Sequence, residues 1–217
     1  MNNEKFLVID TETTNSLDDP ICYDIGFAVI NREGHVYETH SYAVTDIILD
    51  NELMSSAYYA EKIPAYWEEI KNGNRKLRRF HTIQFIIADI IQQYDIKIVV
   101  AHNARFDYKS LNLTQRFITS SRFRYFFPYG VQIWDSLKMA REVLKSSDRY
   151  RQFCVENGYV TKNKQNRFTA EILYRFITND TSFVEAHTGL QDVLIEKEIF
   201  AYCMREYPQI NGVLWDR

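Results

Sequence analysis

The chain has little cysteine. Cys22, Cys154 and Cys203 are far apart and odd in number. They exclude a disulfide framework and any zinc spacing, and point to reduced thiols in a cytosolic protein. A strong charge of either sign is also lacking, since the formal net charge is −3. The whole-molecule field therefore does not draw in a polyanion, and any such contact must come from local basic patches. No apolar run approaches the roughly 20 residues that a membrane helix needs, so no membrane association is expected. The first residues, Met1-Asn2-Asn3-Glu4-Lys5, carry no signal-peptide pattern. Repeats, linkers and low-complexity segments are missing too, and one domain spanning 1–217 is expected. What the chain does have is an apolar share of 46%, enough for a substantial core, with 15 Tyr and 14 Phe. Those rings suit base stacking, although core packing is their commoner use.

The stretch that organises the rest is Phe6-Leu7-Val8-Ile9-Asp10-Thr11-Glu12-Thr13. Four apolar residues running into two carboxylates read as a buried central strand. Side chains alternate along a strand, so Asp10 and Glu12 point to the same side. Two acids held together away from water repel each other and lose hydration. A cation between them relieves both costs, and oxygen ligands suit Mg²⁺ or Mn²⁺. A strand ending in a polar turn is the plainer alternative.

A polar loop follows over 15–20, and Ile25–Ile30 reads as a second strand. Asn31-Arg32-Glu33-Gly34 is a turn signal and His35–Val44 a third strand, giving an antiparallel meander. Part of Asp46–Ala60 reads as helix. Ile63-Pro64 marks a break, and Tyr66-Trp67 anchors a short helix. Lys71–Arg79 carries five basic residues and no acid. It reads as a solvated loop, or else as a loop contacting the phosphates of a nucleic-acid strand. Ile83, Ile86, Ile87, Ile90, Ile91 and Tyr94 follow helical spacing. Ile96–Ala101 is another buried strand, and this order implies a mixed sheet with helices against it. Asn103 reads as the N-cap of the next helix, which puts Asp107 in its first turns, near the C-terminal end of a strand. Gln132–Asp135 reads as a short strand, with Asp135 capping a helix over Ser136–Leu144. Further helices are expected over Asp148–Asn157, over Ala170–Ile177 behind Thr169, and from His187–Leu190 to about Tyr207. Val193, Phe200, Cys203 and Tyr207 are assigned to the buried face of the last one. Between them Lys162–Arg167 is a polar, basic loop.

His187 and Asp192 are five residues apart. At about 100° per residue they stand about 140° apart around a helix. They converge only if His187 sits on the approach loop or in the first turn, a bend that Gly189 permits.

Asp10-x-Glu12, Asp107 in an Asn-Ala-x-Phe-Asp setting, and His187-x₄-Asp192 occur in this order and span nearly the whole chain. Together they resemble the DEDDh 3′–5′ exonucleases, among them bacterial polymerase proofreading subunits, ribonuclease T and oligoribonuclease. Trp134-Asp135-Ser136-Leu137 and Glu171-Ile172-Leu173-Tyr174 are also similar to the family in spacing. The resemblance implies an α/β, ribonuclease H-like fold, a mixed five-stranded sheet flanked by helices. It implies Asp10, Glu12, Asp107 and Asp192 as ligands of two Mg²⁺ or Mn²⁺ ions, and His187 as general base. The chemistry agrees. Two such ions bracket the attacking and leaving oxygens of a phosphodiester, and an imidazole with a pKa near 6.5 suits proton removal near neutral pH. The implied reaction releases nucleoside 5′-monophosphates from the 3′ end of single-stranded or frayed DNA, in replication or repair.

Thr11, Thr13, Asn103 and Phe106 are candidate contacts to the terminal nucleotide. His102 is expected to be a structural neighbour, not the base. Residues 45–81 do not map onto the family's loop that grips the 3′-terminal base. Two alternatives stay open: an exoribonuclease or oligoribonuclease, and an inert nucleic-acid-binding protein on the same fold. The 2′-hydroxyl contacts that separate RNA from DNA lie outside these motifs, so the motifs leave both substrates open, and DNA is favoured over RNA on family grounds alone. A polymerase partner is compatible with the sequence but not indicated, since Tyr207–Arg217 shows no clamp-binding motif.

Overall fold

Strand β1 (Lys5–Thr14) sets the architecture. Phe6 and Val8 belong to one hydrophobic cluster, and Leu7 and Ile9 to another on the opposite face of the sheet. A strand covered on both faces needs an unbroken apolar run, which is what precedes Asp10. The computed structural model describes residues 4–14, 19–57, 59–120, 122 and 124–215. Most of the polar loop expected over 15–20 lies outside the described residues.

β1 pairs antiparallel with β2 (Ile21–Asn31), and β2 antiparallel with β3 (Val36–Val44), which is the expected meander. β4 (Lys76–Arg78) adds in parallel to β3. On its other side β1 pairs in parallel with β5 (Ile98–Ala101), and β5 with β6 (Gln132–Asp135). The mixed sheet therefore has six strands in the order β4-β3-β2-β1-β5-β6, where the sequence indicated five. The extra strand is three residues long, with Leu77 its one apolar residue, too short for a periodic signal. Residues 212–214 run along the outer edge of β6: Asp135 N–H donates to Gly212 O at 2.7 Å and Leu214 N–H to Ile133 O at 2.8 Å.

One face of the sheet carries α1 (Thr45–Ile48), α2 (Asn51–Met54), α3 (Ile63–Lys71), α4 (Phe80–Gln93) and α5 (Arg105–Ile118). The other carries α6 (Ser136–Leu144), α7 (Asp148–Glu156), α8 (Ala170–Thr178) and α9 (Gly189–Glu206). The capping signals of Asp135 and Thr169 hold, each side chain accepting backbone N–H groups of the turn it precedes. Among the described residues no helix is long and apolar enough to cross a membrane.

Three local expectations are corrected. Asn103 is not the cap of α5. It sits in the left-handed region at φ 62, a conformation Asn tolerates, and its N–H donates to Asp135 Oδ1 at 3.0 Å. Tyr207 is 49% exposed, because α9 stops at Glu206 ahead of Pro208. Residues 71–79 are not a free basic loop either. Arg75 is buried, paired with the buried Asp24, and its Nε donates to Glu69 at 2.9 Å. Its guanidinium lies 4.2 Å from the centroid of the Tyr66 ring. A planar, weakly hydrated cation suits such a stacked, interior position.

Candidate active site

Beyond Ile9 the even positions of β1 continue as Asp10 and Glu12, toward α9. Each of Asp10, Glu12 and Asp192 offers an oxygen such that all three lie within 4.8 Å of one another. Glu185, His187 and Asp192 form a second such group, with Asp192 common to both. Asp107 comes from the opposite layer, in the first turn of α5. Its Oδ1 accepts from Thr11 N–H at 3.0 Å and from Thr11 Oγ1–H at 2.8 Å, and it lines the same cleft. It stands outside both close groups.

His187 and Asp192 meet because the bend falls at His187. That residue has φ 52, Thr188 is extended ahead of α9, and the Asp192 carboxylate accepts the His187 N–H. Gly189 is not the bend; it serves close packing. A Cβ on Gly26 would come 2.1 Å from the Gly189 carbonyl carbon, and one on Gly189 would come 2.6 Å from the Gly26 nitrogen. The Gly189 N–H also donates to Asp24 Oδ2 at 3.0 Å, and the Tyr66 hydroxyl donates to the same oxygen at 2.9 Å. A buried carboxylate thus holds the first turn of α9, where the helix dipole favours negative charge.

Several neighbours escaped the sequence reading. Glu185 is placed by Glu171, whose Oε2 accepts the Glu185 N–H at 3.0 Å while its Oε1 pairs with Arg175 at 2.7 Å. Its closeness to His187 in sequence was the available hint. Glu196 lies four residues after Asp192 on α9 and is 3% exposed. An acidic i,i+4 pair is visible in the sequence, but exposed helices carry such pairs too. Tyr59 and Lys62 had no signal. The Tyr59 ring stacks on the His187 imidazole, with centroids 4.5 Å and planes 11° apart. Lys62 Nζ donates to Ala186 O and lies 5.2 Å from the Tyr59 ring centroid. Tyr59 and Lys62, within the 45–81 stretch that does not map onto the family's gripping loop, therefore pack on the histidine and the residue before it.

Burial drives the carboxyls up. Glu12 is pushed to about 9, Asp192 to about 8, and Asp107 and Glu185 each to about 7. Asp10 and Glu196 lie well above the carboxyl range, through burial first and then the other acids around them. Asp10 Oδ2, Asp192 Oδ1 and Glu196 Oε2 are buried with no hydrogen-bond partner in the protein. Buried polar atoms are normally satisfied, and a divalent cation is the partner that an oxygen-rich donor set fits.

The two histidines differ. His187 is lowered by burial and then by the Lys62 ammonium, which favours the neutral imidazole, the form able to accept a proton. His102 is lowered to about 4 by burial. Its Nε2 lies 3.1 Å from Phe168 O and its Nδ1 2.9 Å from Ser136 Oγ. A carbonyl only accepts, so Nε2 carries the hydrogen and Nδ1 accepts from the hydroxyl. Both nitrogens are engaged, and His102 is structural.

The cleft has a volume of about 980 Å³. Its lining also includes the polar residues Arg141, Thr161, Gln165, Asn166 and Arg167, part of them in a loop closed by the Val160–Asn166 bridge. Thr13, Asn103 and Phe106 line the cleft. Thr11 does as well, but its amide and hydroxyl both hold Asp107, so its place is that of a positioning residue.

Solved structures similar to this chain include an exonuclease X bound to 5′-overhanging duplex DNA, at 17% identity, TM-score 0.53 and 94% of each chain covered. Another is E. coli exonuclease I bound to a dA16 oligonucleotide, at 13% identity and TM-score 0.57, covering 95% of this chain and 42% of that one. A third is exonuclease I from Methylocaldum szegediense, at 15% identity and TM-score 0.59, covering 95% and 41%. The chain therefore spans less than half of the exonuclease I chains. The likeness is one of fold, and that fold is ribonuclease H-like, as the sequence motifs implied. No family model matches the chain, and no curated protein does.

Proposed function

We propose that the protein is a metal-dependent 3′–5′ exonuclease acting on single-stranded or frayed DNA. The observation that carries this is the meeting of Asp10, Glu12 and Asp192 within 4.8 Å, beside a second group that contains His187. Asp10, Glu12, Asp107 and Asp192 are the residues that would hold two Mg²⁺ or Mn²⁺ ions, which supply Lewis-acid stabilisation of phosphodiester charge and acidify water. His187, neutral at rest, takes a proton from the attacking water. The water oxygen bonds to phosphorus, and the bond from phosphorus to the 3′ oxygen of the preceding nucleotide breaks. That oxygen leaves with the electron pair and takes a proton from solvent, while His187 returns its proton to solvent, so the released nucleotide keeps a 5′-phosphate. Glu185, 3.8 Å from His187 Nδ1, faces the positive charge that forms on the ring. Arg141 and Arg167, which also line the cleft, suit the phosphates of the bound strand.

DNA is favoured over RNA because the exonuclease X and E. coli exonuclease I structures hold DNA. We read 1–217 as one exonuclease domain. The three buried, free cysteines fit a reducing cytosol. The test is digestion of 5′-labelled DNA and RNA of one sequence with Mg²⁺. Release of 5′-mononucleotides from DNA is expected, with none in chelator. Asp10→Ala should melt cooperatively yet hydrolyse nothing; full activity in that variant overturns the assignment. Digestion of RNA alone would transfer it to an exoribonuclease, and binding without release to an inert nucleic-acid-binding protein.

A further inference from the structure

The stretch between α5 and β6 has no counterpart in the mechanism. That connection, taken with most of α5 before it and of β6 after it (residues 108–134), contains Lys109, Arg116, Arg122 and Arg124 but no Asp or Glu, in a chain with 29 acidic residues. Residues 125 and 126 are held from two helices. Phe126 is buried, with its ring centroid 5.2 Å from that of Phe80 on α4. Its N–H donates to Asn112 Oδ1 of α5 at 2.8 Å. Gln84 Nε2 of α4 donates to Phe126 O at 2.9 Å and to Tyr125 O at 3.3 Å. Phe127 packs half-buried beside the inserted Phe126, while other rings of this stretch stand outward. Phe117 is 57% exposed, Tyr125 63% and Tyr129 wholly so, and Arg116, Arg122 and Arg124, interleaved with them along the sequence, are exposed too.

Leaving large rings in water forgoes about 1.5–3 kcal/mol of burial each, so a fixed backbone that displays them suggests a ligand. An acidic or purely apolar surround would indicate a protein partner. Guanidinium groups interleaved with aromatic faces instead match a flexible polyanion whose bases stack, since arginines neutralise phosphates and rings accept any base. Asn112 lies five residues beyond Asp107 on α5, about 7.5 Å along the axis at about 1.5 Å per residue. The anchored loop is thus docked against the same helix that brings Asp107 to the cleft.

We propose that this surface binds the single-stranded nucleic acid upstream of the 3′ end held in the cleft, and so gives the enzyme a preference for longer strands. The proposal rests on the exonuclease reading.

The test uses the full chain and 5′-labelled oligothymidylates of about 4 and about 16 nucleotides, the range one such surface spans. Anisotropy in chelator measures binding, and mononucleotide release in Mg²⁺ measures hydrolysis. Two variants are compared with the wild type: Arg116→Gln/Arg122→Gln/Arg124→Gln, and Tyr125→Ala/Tyr129→Ala. All five positions are exposed, and unchanged melting verifies the fold. Each variant is expected to weaken binding of the long strand by about tenfold or more. The arginine variant should also flatten its salt dependence, while hydrolysis of the short strand stays the same. Unchanged long-strand affinity in both variants overturns the proposal, as does an equal loss for long and short strands. Displacement of the oligomer from this surface by an acidic polypeptide at equal charge concentration also overturns it. Failure of the wild type to release mononucleotides from either strand sinks the exonuclease reading instead, and the binding comparison still decides on the surface.

Discussion

Gly26 of β2 and Gly189 of α9 touch backbone to backbone, with no room for a methyl group on either. This contact sets how deeply the first turn of α9 sits, and with it the positions of His187 and Asp192. Gly26→Ala should therefore cost about 1–3 kcal/mol from overpacking and displace both side chains together. Thermal melting and Mn²⁺ affinity measure the two effects. A variant with wild-type melting and wild-type Mn²⁺ binding would show that the helix has other seats.

Stability without metal should fall as pH rises. A carboxyl whose folded pKa lies above its unfolded value keeps a proton that the unfolded chain has already released. The unfolded values lie near 4, while Asp107, Asp192 and Glu12 reach about 7, 8 and 9 in the fold. The folded state is thus favoured at the acid end and loses ground from about pH 4 up to about pH 9. Divalent cations should reverse the trend, raising the melting temperature most at alkaline pH, by an amount that grows with the logarithm of free metal. Asp10→Asn should melt higher than wild type in chelator and gain less from Mg²⁺. A metal-free melting temperature that climbs from pH 6 to pH 9 would contradict this.

Asp24 joins Arg75, Tyr66 and Gly189 in one buried cluster. Asp24→Asn leaves the buried Arg75 with the half-buried Glu69 as its remaining carboxylate partner, and breaking a buried pair typically costs about 3–5 kcal/mol. Asp24→Asn/Arg75→Met should lose less than the two single variants added together, because it removes the half-paired charge. Denaturant titration of all three gives the coupling directly. Additive losses would mean that the pair is not an energetic unit.

Lys62 bears on the titration of His187. Its ammonium is the second cause of the lowered imidazole pKa, after burial. Lys62→Met removes that charge, so the imidazole should hold its proton to higher pH. A base must be deprotonated to act, so the acid limb of the rate profile should move to higher pH while the alkaline side stays put. Lys62→Arg should restore the profile. Imidazole proton resonances followed against pH give the same answer without turnover.

The acids and the histidine that line the cleft were legible because each lies in a short local pattern: acids two apart on a strand, an acid in a helix's first turn, a histidine five residues before an acid. The central strands and the Asp135 and Thr169 caps were legible for the same reason. What stayed hidden depends on contacts between distant segments. Arg75 looks like its basic neighbours until Asp24 meets it across 51 residues. Tyr59 reaches His187 only because residues 59–62 pack against the segment before α9, and no local periodicity encodes that. Gly189 invited the wrong explanation, since a glycine beside a bend suggests backbone freedom, while its missing Cβ is what the opposing strand requires. Glu196 was hidden by ordinariness.

The strip of residues 212–214 along β6 has a consequence for crowding. An open sheet edge is a template on which another copy can add its own strand. Here the backbone groups of Ile133 and Asp135 are already taken, and at the far margin β4 is only three residues long, with Lys76 and Arg78 exposed. Both borders are thus poor starting points for intermolecular strand addition, and a chain cut before Gly212 should be the one that forms fibrous aggregates when concentrated.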